Sequence, residues 1–438
     1  MTSRVLPLFA IPFLFFGCSA STGDAPDWTG APASVALPQG VVVDVPVTLS
    51  QSGTVTPRPP AGVDATFENG KLSLRAAYDV EGELTLPVDL ASSSGATRTV
   101  NVTLKVAKLD WTPNSWTTAG PQAREHATLF FDETANAAFL LAGTGYKPQW
   151  KPIDDNWRYD VATRAWSPWT PTGDVPPVGY SRREARIDAS SFYLYGGTSG
   201  YQTTEVGDPD VYRVKPGDPT KAFTRLTSKN PPPARALNVF AYDAAGSRMV
   251  TFGGFAVDTQ TVLNDTWIGA VAGDTVTWTQ LPKTGAPPPR YGSFAAFDAP
   301  SRRLFVFSGA QNPKKGDPIN AAQDTWVLDL SQEVPTWSTL AVENTPAGRR
   351  NGCGIYDPAG RRLVVFGGTS DGMTSQNGLF VLELAAGHER WSEVARPGTP
   401  ASRSSGFGFA DPKTGNVYCG FGNGDALYQD LNVIGYAK

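Results

Sequence analysis

One feature limits what this chain can fold into: it repeats itself. The stretches "ARALNVFAYDAAGSRMVTFGG" (234–254), "RYGSFAAFDAPSRRLFVFSG" (290–309) and "RRNGCGIYDPAGRRLVVFGG" (349–368) share one order of parts. Each has an arginine, an apolar run, an aspartate turn, a second apolar run and a pair of small residues. The arginine recurs at Arg124, Arg183, Arg235, Arg290, Arg349 and Arg403, so successive copies lie 59, 52, 55, 59 and 54 residues apart. Eight residues after it stands an acid in five copies (Asp132, Asp243, Asp298, Asp357, Asp411), whereas the second copy is shortened, with Asp188 only five on. A third run opens on an acid, as in "DNWRYD" (155–160) and "QDTWVLD" (323–329), and a fourth carries Trp166, Phe223, Trp278, Trp337 or Trp391. Apolar alternation at period two with tight turns is the mark of antiparallel strands. Four strands repeated at 50 to 60 residues predict an all-β propeller.

The small-residue pair, the tryptophan after it and the period resemble kelch repeats over roughly three quarters of the chain. Ala142-Gly143, Ser308-Gly309 and Gly422-Asn423 depart mildly from the glycine pair. The resemblance implies a six-bladed kelch β-propeller over 111–438. The sixth copy ends in "LNVIGYAK" without a tryptophan strand, so the stretch around Trp116 (114–120) is expected to complete the last blade and close the ring.

Strand reversal places the arginines. The links leading into the first strand and the loops leading into the third must share one face, here called the loop face; the short turns between first and second strands form the opposite, turn face. Two roles for the arginines follow. In one, Arg124, Arg183, Arg235, Arg290, Arg349, Arg350 and Arg403 ring the channel as a receptor for an anion, because a guanidinium fork suits carboxylate or phosphate; some kelch domains hold acidic peptides in this way. In the other, each arginine pairs with a third-strand acid, Asp155, Asp210, Asp265, Asp324 or Asp430, and ties blades together. Asn377 stands in the fifth blade, which leaves Arg349 and Arg350 least neutralised. Tyr146 and Trp150, in one of the longest loops (144–156), are candidates to stack on a sugar or peptide.

Ahead of the propeller, residues 28–108 alternate in short strand-like runs, such as "GELTLPVDL" (82–90), and resemble a small immunoglobulin-like β-sandwich. Residues 1–17 combine Arg4 with an apolar run too short to span a bilayer. The run ends in "LFFGCS" (14–19), which resembles a bacterial lipoprotein signal. That likeness implies acylation at Cys18, a tether over 18–27 and a place in the cell envelope, with Ser19 pointing to the outer membrane; stable anchoring needs more than one acyl chain. Cys353 and Cys419 both fall in apolar strands, where two buried thiols are expected over a disulfide.

Chemistry is sparse. A net charge of −4 gives no footprint for nucleic acid. His126 and His388, the two histidines, lie in different blades, so no metal site is expected, and the copper constellation of galactose oxidase, a kelch-like enzyme, is missing. No cofactor motif is present. The architecture also resembles a bacterial periplasmic kelch propeller that interconverts sialic acid anomers, for which Arg183-Glu184 or Arg124-Glu125 would serve. The expectation is a monomeric, non-catalytic envelope protein that binds a protein or acidic glycan; a structural scaffold and a sugar-acid mutarotase are the alternatives.

Overall fold

The apolar alternation becomes strand throughout: every regular element among the described residues is a β-strand. The computed structural model describes residues 24–112, 114–146, 150–200, 205–312 and 319–436; Cys18 and the segment before it lie outside this range. The chain divides into two units.

The first unit comprises residues up to 37, 42–76 and 82–106. Its four-stranded antiparallel sheet runs in the order Ser34–Pro38, Thr97–Ala107, Gly82–Ser92, Gly53–Pro57, beside a three-stranded sheet of Val43–Pro46, Lys71–Ala76 and Val63–Glu68. Every second residue is buried, including Leu72, Leu74, Leu86, Val88, Val102 and Leu104. Two short segments flanked by these strands, 38–41 and 77–81, belong by contact to the second unit. There Arg396 donates to the Tyr78 carbonyl (2.7 Å) and to Gln39 Oε1 (2.8 Å).

The second unit holds six blade sheets, five of four antiparallel strands and a third-blade sheet in which Thr227–Lys229 adds a fifth strand parallel to Thr275–Gln280. Five are formed by consecutive strands, for example Phe294–Asp298, Arg303–Phe307, Thr325–Asp329 and Thr336–Thr339 in the fourth. The innermost strands, Thr128–Asp132, Arg183–Arg186, Val239–Asp243, Phe294–Asp298, Cys353–Asp357 and Phe407–Asp411, each contact the next, and the last contacts the first. That closure makes a ring. The apolar residues between sheets form separate clusters, such as Phe130, Phe139, Phe192 and Phe223 between the first two. Burying both faces of each sheet explains why these strands read as continuous apolar runs.

The sixth sheet closes differently from the expectation. Its outer strand is Leu109–Thr112, paired with Leu431–Tyr436 through Trp111↔Ile434. The stretch at Trp116 is not a strand; that ring packs edge-on against Trp166, 5.4 Å away, in the link to the first blade. The interval decides between the two: Trp111 precedes Arg124 by 13 residues, close to the 12 from Trp278 to Arg290. Trp116 precedes it by only 8.

The cysteines also differ from the expectation. Cys353 and Cys419, on adjacent blades, form a disulfide with a Cα–Cα distance of 6.2 Å. Both lie on strands buried in the same cluster, and the spacing falls within the normal bridging range.

Candidate functional site

The repeat arginines sit inside the blades rather than around a funnel. Arg124, Arg235, Arg290, Arg349 and Arg403 are all buried, at 0 to 4% exposure. Their bonding is nearly identical. In each, Nε donates to the carbonyl two residues back and Nη1 to the carbonyl 18 residues on, as Arg290 does to Pro288 (3.2 Å) and Ser308 (3.1 Å). The guanidinium then grips the acid that opens the third strand of its own blade. Arg235 meets Asp265 at 2.7 and 2.9 Å, Arg290 meets Asp324 at 2.6 and 2.9 Å, and Arg403 meets Asp430 at 2.6 and 2.9 Å. Arg124 contacts Asp155 at 2.5 Å. In Arg235, Arg290 and Arg403 the bidentate pairing and the carbonyl bonds occupy four of the five N–H donors, and Arg124 keeps one contact to its acid, so all four are committed to their own blades. The pairing braces each blade internally and does not tie blades together.

Ties between blades run along the turn face instead, through the aspartates eight residues after the arginine. Asp243 accepts from Arg302 of the next blade at 2.7 Å, and Asp298 accepts from Arg361 at 2.7 Å. Burial pushes both carboxyls up, but the arginine hydrogen bonds outweigh it and hold them below the ordinary carboxylate value.

Two blades break the pattern. In the second, Gly179 stands where the repeat arginine belongs, because Gly179 pairs with Ser199 as Arg235 pairs with Ala256. A Cβ on Gly179 would lie 2.7 Å from Nη1 of Arg182, so the Arg182 guanidinium occupies the vacant place. It pairs with Asp208 (3.0 Å), and Asp210 is taken by Arg225 (2.9 Å). Arg183 is thus not a member of the series: it lies at the start of the innermost strand and donates through Nε to the Asn238 carbonyl at 3.2 Å. In the fifth blade the acid position falls on Gly378, not Asn377, since Phe366 pairs with Leu379. The Phe380 ring fills the space, 4.4 Å from the Arg349 guanidinium. Burial without an acid, only partly offset by Glu393, pulls Arg349 down to about 10.

Next to each arginine the chain turns through a left-handed residue: His126, Ser181, Leu237, Gly292, Asn351 and Ser405, with φ between 51° and 66°. These six form a collar. His126 N–H donates to the Ser405 carbonyl (3.2 Å), Ser181 to His126 (2.9 Å), Gly292 to Leu237 (2.9 Å), Asn351 to Gly292 (2.9 Å), and Ser405 to Asn351. The collar narrows the channel near the loop face.

On the loop-face side of the collar lies the cluster that can act on a ligand. Arg350, adjacent to Arg349, forms no ion pair among the described residues; it stacks over Tyr291 at 5.2 Å and leaves Nε buried without a hydrogen bond. Across the collar Glu125 is 5% exposed, and burial pushes its carboxyl up to about 8 against the hydrogen bonds of Asn423 and Ser405 and the charge of Arg350. His126 Nε2 lies 3.5 Å from Glu125 Oε1, and burial with Arg183 and Arg350 nearby lowers the imidazole to about 3. At neutral pH both groups are mostly uncharged, so the contact is polar rather than ionic. Tyr180 donates to Glu205 beside them.

Of the residues expected to form a receptor, then, Arg350 opens onto this cluster, Arg183 faces the channel, and Arg124, Arg235, Arg290, Arg349 and Arg403 are internal. The backbones of Tyr146 and Trp150 pair in a hairpin, but their side chains lie outside the described residues. Glu125 is marked in the sequence through its pairing with Arg124, whereas His126 shows there only as a histidine of the first blade. Their shared collar position comes from the left-handed turn. Among the described residues no group of three or more His, Cys, Asp or Glu side chains is placed to hold a metal, and no helix is long and apolar enough to cross a membrane.

Comparison with known proteins supports the repeat. Residues 244–437 match the family described as the KLHDC2/KLHL20/DRC7 Kelch-repeats domain. The chain is 24% identical over 276 residues to putative adagio-like protein 2 of Oryza sativa subsp. japonica, a match covering 60% of this chain and 39% of that one. It is 26% identical over 273 residues to Adagio protein 3 of Arabidopsis thaliana, covering 60% and 42%. The chain therefore spans about two fifths of the length of these relatives. The solved structure of YjhT aligns with a TM-score of 0.50 at 13% identity, covering 76% of this chain and 97% of that one. At that identity the likeness is one of fold. The second unit is a β-propeller, and its residues 244–437 match kelch repeats.

Proposed function

We propose that this kelch propeller is a binding module that receives an anionic group at Arg350 on its loop face. Its ligand is an acidic segment of a protein partner or an acidic glycan. The observation that supports this reading is the contrast between arginines: four of the repeat set are matched by carboxylates, whereas Arg350 has none and sits over an aromatic ring. A half-buried guanidinium with no ion-pair partner among the described residues favours an incoming carboxylate. A pure scaffold would not need it. The kelch likeness itself favours a binding or scaffolding role.

Around this core we place the chain in a bacterial envelope as a monomer, lipid-anchored at Cys18 through its signal-like segment, with the first unit as an immunoglobulin-like spacer. Incorporation of labelled palmitate that is lost in Cys18→Ser tests the anchor. The binding site is tested on arrays of acidic peptides and acidic glycans, each beside a neutral amidated counterpart. Wild type is expected to prefer the acids and Arg350→Ala to lose that preference. Retention by the variant, or no preference in wild type, overturns the reading.

One observation favours a second reading, a proton-transferring enzyme acting on an acidic sugar: a carboxyl near 8 beside a neutral imidazole and an arginine is suited to general acid–base work. Saturation-transfer NMR of anomer exchange in acidic sugars, with Glu125→Gln as the comparison, decides it.

A further inference from the structure

Below the collar, toward the turn face, the channel opens into a cavity of about 510 Å³. None of the six collar residues lines it; it begins at Asn238, Ser293 and Gly406 and reaches Pro300, Pro358 and Pro412 in the short turns. Its lining is uneven in charge. The four charged residues, Arg182, Arg183, Glu184 and Arg186, all come from the second blade. Two of them are spoken for, Arg182 by Asp208 (3.0 Å) and Arg186 by Glu133 (2.6 Å). Among the described residues Arg183 donates only through Nε, and Glu184 makes no hydrogen bond or close ion pair, though Arg186 and Arg183 act on its charge. Around the rest of the wall Ile187, Phe297, Ile355 and Phe407 keep part of their surface open to the cavity.

We propose that this cavity is a second binding site, separate from the loop face, for a small carboxylic acid with an apolar body, whose carboxylate is held by Arg183. The two free guanidinium nitrogens supply a fork for one carboxylate, and the aromatic and aliphatic wall accepts the body. The chemistry excludes a doubly charged or polyhydroxylated ligand, which would leave polar groups against Phe297 and Ile355. Glu184 does not oppose the anion, because burial pushes its carboxyl up toward the neutral form, with Arg186 and Arg183 acting against that. The charge pattern has a cause in the sequence: the second repeat carries "RREAR" (182–186) where the other blades place apolar residues such as "NVFAY" (238–242).

The test compares decanoate with decan-1-ol by titration calorimetry on the full chain. Wild type is expected to bind the acid at least about tenfold more tightly than the alcohol, the scale of one charged hydrogen-bonded contact. Arg183→Met, which keeps the apolar stem, is expected to bind both equally. Because acid and alcohol are compared on the same protein, the ratio holds even if the variant is less stable. Glu184→Gln is expected to keep the acid preference, and a diazirine-bearing decanoic acid should label peptides of the channel wall. Equal binding in wild type, no binding of either probe, an unchanged preference in Arg183→Met, or labelling confined to the loop face each overturns the proposal.

Discussion

Gly179 and Arg182 together fill the place of one arginine: a side chain on the first would run into Nη1 of the second, 2.7 Å from the position of its Cβ. The repeat is therefore conserved in space where it is lost in sequence. The Arg182–Asp208 pair it creates is buried, with side-chain exposures of 2 and 6%, whereas Arg225–Asp210 is open, at 61 and 25%.

Stability should separate the two pairs. Removing one partner of a buried pair costs about 3–5 kcal/mol, and an exposed pair contributes under about 1 kcal/mol. Urea unfolding is expected to show the larger loss for Asp208→Asn and little change for Asp210→Asn. The reverse order would mean that Asp210 is the true partner of Arg182.

The same logic divides the internal repeat arginines from Arg350. Arg290→Ala strands Asp324 and opens a buried site, so a loss of about 3–5 kcal/mol is expected. Arg350→Ala removes no hydrogen bond, and its melting temperature should stay within about 2 °C of wild type. A large drop for Arg350→Ala would show that it too is a brace.

Much of this was legible from spacing alone. The pairs Arg124–Asp155, Arg235–Asp265, Arg290–Asp324 and Arg403–Asp430 follow from strand reversal, which brings the start of the first strand and the start of the third to one face. What spacing hides is substitution by a neighbour. Arg182 reaches back three residues, Asp208 stands two before the regular acid, and Phe380 replaces an acid with a ring. None of these keeps the period. The collar was hidden for another reason: it is made of backbone, and its members share a φ but no side-chain chemistry.

Acidity should act on the collar cluster in two opposed ways. The folded protein keeps a proton on Glu125 to about 8, while the unfolded chain releases it near 4.5, so stability falls as pH rises through that window. His126 refuses a proton down to about 3, while the unfolded imidazole accepts one near 6.5, so stability falls as pH drops below 6.5. The groups facing them are Arg350, Arg183 and Tyr180. Unfolding free energy is thus expected to be level between about 4.5 and 6.5 and to decline toward 8 by up to about 1.4 kcal/mol per pH unit. Glu125→Gln should abolish the decline; an unchanged slope would place its origin elsewhere.

The Cys353–Cys419 bridge closes a separation of 66 residues between adjacent blades. Non-reducing peptide mapping should recover the linked pair, and the double substitution to Ala should cost about 2–4 kcal/mol. Two alkylatable thiols in the untreated protein would instead restore the picture of free cysteines.

A collar held by main-chain atoms is indifferent to which residue occupies it, as His126, Leu237 and Asn351 demonstrate by sharing one role. It therefore works as a partition. A change of side chain on either side leaves the backbone ring between them in place, and what crosses it is charge, as Arg183 acts on His126. Such a division lets the shapes of two sites drift apart over evolutionary time within one ring, while their electrostatics stay linked.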